Sequence, residues 1–143
     1  MLINGSKLVD CPILSLHIGG EIARVTEVII DPNSLSIIGF RVEGKMIQDD
    51  VGDILPIESV REFSRMGMII DSIDEFVDEA DVIKIKKVLE LNFDLVGLKV
   101  VTRKKEKIGK VADFTIEAGG WSVQQLIVQR PAMKAFFDPQ LVI

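Results

Sequence analysis

Two stretches of the chain carry the same uneven alternation of apolar and polar residues. In EIARVTEVIIDPNSLSIIGFRV, from Glu21 to Val42, the recurring apolar positions are Ile22, Val25, Val28, Ile30, Leu35, Ile37, Phe40 and Val42. In KIGKVADFTIEAGGWSVQQLIV, from Lys107 to Val128, they are Ile108, Val111, Phe114, Ile116, Trp121, Val123, Leu126 and Val128, each 86 positions later. The steps are 3, 3, 2, 5, 2, 3 and 2 in both. A half-buried strand repeats every two residues, so each step of three is a place where the alternation slips to the other face. β-Bulges and sharp coils in strongly bent strands produce such slips. The shared slips therefore predict strands curled around a small barrel, written twice. Identities are few (Ile22/Ile108, Val25/Val111, Ile30/Ile116, Ser36/Ser122, Val42/Val128), and exchanges such as Arg24/Lys110, Glu27/Asp113 and Asp31/Glu117 keep the charge.

Each copy has a turn at its centre. DPNS (Asp31 to Ser34) places proline second, where its fixed φ suits a turn, and EAGGW (Glu117 to Trp121) supplies Gly119 and Gly120 for positive φ. Short strands precede both hairpins, PILSL before the first and LKVVT before the second, joined through HIGGE and RKKEK. After the first hairpin, DILPIESVREF and GMIID supply closing strands; after the second the counterpart is DPQLVI, and nothing matches Arg61 to Asp71. The expectation is a second barrel without its last strand, either because a partner chain completes the open edge or because the chain is cut short. Between the copies, Val82, Ile85, Val88 and Leu89 fall at helical spacing behind Asp78 or Asp81 as cap, which predicts a helix from about Asp78 to Leu91. A strand over DVIKIKKV is the rival. The fold class expected is mainly β: two tandem small antiparallel β-barrels joined by a short helix, with domains at 1–77 and 93–143 and the linking helix at 78–92.

Composition fits this picture. Of the 143 residues, 48% are apolar and 27% charged, a globular balance with enough material for a core. The net charge of −5 is unevenly spread: residues 97–143 hold 8 Lys/Arg against 4 Asp/Glu, while residues 71–96 hold 3 against 8. An acidic whole excludes a chain that binds nucleic acid all over and leaves a local basic patch in the last third. No apolar run is long enough to span a bilayer and the N-terminus does not read as a signal peptide, so a cytoplasmic protein is expected. The single cysteine, Cys11, agrees with a reducing compartment.

Candidate chemistry is sparse. His17, the only histidine, lies at a turn, and with one cysteine the usual zinc ligands are lacking. No nucleophile signature accompanies His17. The carboxylates of DDVGD (Asp49, Asp50, Asp53) and DSIDEFVDEAD (Asp71, Asp74, Glu75, Asp78, Glu79, Asp81) do not follow the ordered calcium-loop pattern and read as solvated charge. RKKEK puts Arg103, Lys104, Lys105 and Lys107 in one five-residue turn, a candidate contact for phosphate or RNA, with no interleaved aromatic for base stacking. RPAMKAFFDP places Met133, Phe136 and Phe137 between two prolines, either as the anchor of a protein contact or as a plug in the barrel end. The glycines of HIGGE and AGGW do not open helices, so no dinucleotide loop is present. Trp121 reads as barrel packing.

The duplicated pattern resembles the PRC-barrel family, the small β-barrel of the cytoplasmic domain of the photosynthetic reaction-centre H subunit and of the C-terminal part of a ribosome-maturation factor. KIGKVADFTIE (Lys107 to Glu117) carries the closest likeness; in EIARVTEVIID Ala23 replaces the usual glycine, and ILPIESV (Ile54 to Val60) is similar to the proline-containing strand and turn after the hairpin. The resemblance implies a docking or assembly module without catalytic residues or cofactors. The expected function is thus a non-enzymatic protein-protein interaction module that docks on a protein partner or forms a homo-oligomer through barrel edges, a dimer through the open edge of the second barrel included. The alternative is a ribosome or RNA assembly factor acting through the basic turn. An enzyme or ligand carrier with a site between the barrels is the third reading.

Overall fold

The computed structural model describes residues 1–47, 51–131 and 140–143. In chain order its strands are β1 (Leu2–Asn4), β2 (Pro12–Ser15), β3 (Gly20–Asp31), β4 (Ser36–Glu43), β5 (Ile54–Pro56), β6 (Glu62–Ser64) and β7 (Gly67–Ile70). The helix α1 (Ile83–Glu90) follows, then β8 (Lys99–Val101), β9 (Lys107–Glu117), β10 (Val123–Gln129) and β11 (Gln140–Val142). Two compact units result: a first of Lys7–Phe93, and a second of Met1–Ser6 with Asp94–Ile143.

The slips in alternation are bulges, and they fall at matching places. In the β3–β4 hairpin, Val25 faces Val42 and Glu27 faces Arg41, leaving Thr26 as the extra residue; Ile29 faces Gly39 and Ile30 faces Ile37, leaving Ile38. In the β9–β10 hairpin the extra residues are Ala112 and Gln124, 86 positions on from each. A third pair completes the set: Ile22 bulges where β2 meets β3, and Ile108 where β8 meets β9. Each bulge bends its strand, and this turns both sheets into curls.

The first sheet runs β5-β4-β3-β2-β7-β6 and the second β1-β9-β10-β11, with β8 also on β9. The mainly β fold with two curled sheets is as expected, and one strand pair of the first sheet is parallel instead of antiparallel. β7 lies parallel to β2, with Ile13 opposite Met68 and Ser15 opposite Ile70, and each sheet is a curled half-barrel. β7 reaches β2 through β6 and the 3-10 turn Ile57–Ser59, a connection long enough for a parallel return. The core of the first curl holds the fully buried Ile13, Val25, Ile37, Phe40, Ile54, Leu55, Met68 and Ile70; Val111, Phe114, Ile116, Trp121 and Val128 are buried in the second.

The helix is shorter than expected. Asp78 does cap, but its side chain accepts from the Ala80 N–H of a separate 3-10 turn, Glu79–Asp81, and α1 begins only at Ile83. Ile85 and Val88 pack on Ile29, Ile38 and Ile54, with Val82 and Leu89 at the margin, so α1 lies within the first unit. Asn92, with φ 50°, follows its end in the left-handed conformation common after helices.

The N-terminal residues, read from the sequence with the first domain, enter the second sheet. β9 is long enough to carry two short strands end to end on one edge, β8 opposite residues 107–110 and β1 opposite 115–117. Ile3 of β1 is buried opposite Ile116, and the Phe114 ring lies so close over Gly5 that a Cβ there would come within 2.3 Å of it. Asp113 fastens the segment: its carboxylate accepts from Ser6 Oγ (2.7 Å), Ser6 N (3.0 Å) and Asn4 Nδ2 (3.2 Å).

Candidate functional site

The basic turn forms as the sequence suggests. The Lys105 N–H donates to the Thr102 carbonyl (2.8 Å), and the Glu106 N–H to the Thr102 hydroxyl (3.1 Å), which closes the chain between β8 and β9. Arg103, Lys104 and Lys105 stand exposed on it, and Lys107 follows as the first residue of β9. Three residues missed as site candidates or noted only as repeat partners extend this charge. Lys99 on β8 is the cross-strand partner of Lys110 on β9, Lys110 is in turn opposite Gln129, the last residue of β10, and Arg130 follows it.

Lys99, Lys107, Lys110, Gln129, Arg130 and Pro131 line a cleft of about 240 Å³ at the open end of the second hairpin. The first hairpin has a cleft in the same place, about 510 Å³, lined by Glu21, Arg24, Glu43, Gly44, Lys45 and their neighbours. Counted at the repeat offset, Glu21 becomes Lys107, Arg24 becomes Lys110, Glu43 becomes Gln129 and Gly44 becomes Arg130. In the first cleft Arg24 is paired with Glu21 at 2.8 Å and donates to the Asp10 carbonyl at 3.0 Å. In the second no acidic residue lines the cleft, and its lysines and arginine form no ion pair among the described residues.

A backbone exchange makes room for this. A Cβ on Gly44 would sit 2.7 Å from the Ile22 carbonyl oxygen, and one on Gly109 would sit 2.1 Å from that of Gln129. A glycine thus stands at each crossing but on opposite strands, Gly44 after β4 in the first hairpin and Gly109 on β9 in the second, while the positions 86 residues away hold Arg130 and Ala23.

The remaining candidates are placed simply. His17 is exposed, its N–H donating to the Asp71 carbonyl. Cys11 is buried, and burial pushes its thiol pKa up. Asp53 and Glu79 are ion-pair partners of Arg41, at 3.0 and 3.3 Å, with Glu27 as the third at 3.3 Å. Asp71 pairs with Arg61. Among the described residues no group of three His, Cys, Asp or Glu side chains is gathered for a metal ion. Met133, Phe136 and Phe137, with Asp49 and Asp50, lie outside the described residues. No helix among the described residues is long and apolar enough to cross a membrane.

A comparison with curated proteins finds no match. Domains of the PRC-barrel type are typically protein-interaction or assembly modules and are in general non-catalytic. Residues 89–131, from the end of α1 through β8, β9 and β10, match the model of the PRC-barrel domain family, and the mainly β, curled sheets agree with that match.

Proposed function

We propose that the chain is a non-enzymatic docking module whose second unit accepts an extended strand, in the simplest case from a second copy. The observation that carries this is the outer edge of β8. Its counterpart β2 has β7 laid parallel along that edge, whereas β8 pairs with β9 alone among the described residues. Val96, Leu98 and Val101 beside it are 50%, 43% and 50% exposed. An unpaired row of backbone donors and acceptors flanked by apolar side chains is a template for strand addition. Sedimentation velocity over a concentration series tests the reading: the chain associates, and Leu98→Lys with Val101→Lys, charges placed on an open edge, leaves a monomer. A wild type that stays monomeric throughout, or association indifferent to the double substitution, refutes it.

A second reading has its own support in the exposed Arg103, Lys104, Lys105 and Lys107, none of them in an ion pair among the described residues. An RNA-assembly role predicts binding to ribosomal RNA that weakens steeply with salt and with Lys104→Glu and Lys105→Glu. Salt-independent binding, or none, counts against it.

A further inference from the structure

The two clefts share a backbone and differ in charge, and the difference points to a ligand. The first cleft is internally balanced, Glu21 against Arg24 and Glu43 with Lys45. In the second, four cations rim a small space and two of them, Lys99 and Lys110, are directly opposed across the ladder. Like charges facing each other on a sheet destabilise it. The arrangement thus costs stability in the free protein and gains from an anion that enters.

We propose that the cleft rimmed by Lys99, Lys107, Lys110 and Arg130 anchors an acidic segment of a partner protein. The proposal rests on the docking reading above and names the chemistry of the partner. Size favours a protein side chain or two over a free small molecule, since ligand pockets usually start near 300 Å³ and this cleft is about 240 Å³. Its lining, to which Lys99, Lys107, Lys110 and Pro131 contribute, is mainly apolar, suited to the methylene groups of glutamate or a neighbouring leucine. No aromatic side chain lines it, so the stacking platform that single-stranded nucleic acid uses is missing. The cleft opens beside β8, where an added strand would carry its side chains past the rim.

Fluorescence anisotropy with a labelled Glu/Leu peptide decides the matter. The peptide binds the full chain at low salt. Lys107→Glu with Lys110→Glu weakens it by about tenfold or more, as expected for reversing two charges at a contact, Arg130→Gln weakens it less, and Arg24→Gln in the first cleft leaves it unchanged. Circular dichroism confirms that the variants fold; all three positions in the second cleft are at least partly exposed. No binding at low salt, equal binding by wild type and cleft variants, or tighter binding of a length-matched oligouridylate than of the peptide overturns the proposal. Failure here is separable from failure of the docking reading. If the cleft is wrong, wild type still associates in sedimentation while the peptide ignores the charge reversals; if docking is wrong, wild type does not associate at all.

Discussion

The residues that end the two hairpin turns hold an unfavourable backbone. Leu35 and Trp121, 86 positions apart, have φ of 52° and 57°, and each donates its N–H to the residue four before it, Asp31 or Glu117, at 2.8 Å. The sequence pattern marked both as apolar strand positions; the chain uses them as left-handed turn residues, where a side chain costs roughly 1–2 kcal/mol. Burial decides why Trp121 is nonetheless kept, since it is 8% exposed and removing a buried tryptophan costs about 3–5 kcal/mol. Trp121→Gly is therefore expected to destabilise by about 2–3 kcal/mol despite relieving the backbone, measured by urea denaturation. Lys105, with φ 66°, has no burial to lose. Lys105→Gly is expected to stabilise by about 0.5 kcal/mol after glycine's larger unfolded-state entropy is counted; a lower urea midpoint would contradict this.

At the scale of elements, the bulges were legible and the strand partners were not. A slip of one residue flips every later side chain, so the apolar pattern itself records where Ile22, Thr26 and Ile38, and their counterparts, bulge. Nothing in LIN foretold that β1 would join β9, because three residues carry no periodicity to read. Its hold depends on Asp113. Partial burial raises the pKa of that carboxyl, but the Ser6 hydroxyl, the Phe114 and Ser6 N–H groups and the Asn4 amide together outweigh burial and hold it below its ordinary 3.8. A carboxylate with a depressed folded pKa contributes stability that is complete above its unfolded value and lost as pH falls through the folded one. Amide protection factors at Ile3 and Asn4 should thus be level from pH 7 down to about 4 and fall below it. Asp113→Ala should reduce them at all pH values by the equivalent of about 1–2 kcal/mol, and an unchanged pH profile in wild type would remove Asp113 from the account.

Across the whole molecule, the helical spacing of Val82, Ile85, Val88 and Leu89 identified the packing face of α1, yet a linking helix was expected where the structure has one closing the first core. Ile85 is 2% exposed, so Ile85→Ala should cost about 2–5 kcal/mol and be read as lost hydrogen-exchange protection in β3, β4 and β5, the strands its cluster packs on. Protection unchanged there would mean that α1 stands apart from that core. The basic turn was visible as a run of charges, but the cleft was not: Lys99, Lys110 and Arg130 are scattered along 32 positions and meet only because β8, β9 and β10 are adjacent. By itself the sequence determined the repeat, its bends and its β character, since periodicity is a local property written into every few residues. Tertiary structure alone decided the parallel seat of β7, the passage of residues 1–6 into the second unit and the gathering of four cations at one cleft, because pairing between distant segments is chosen by edge geometry and burial that no single stretch contains.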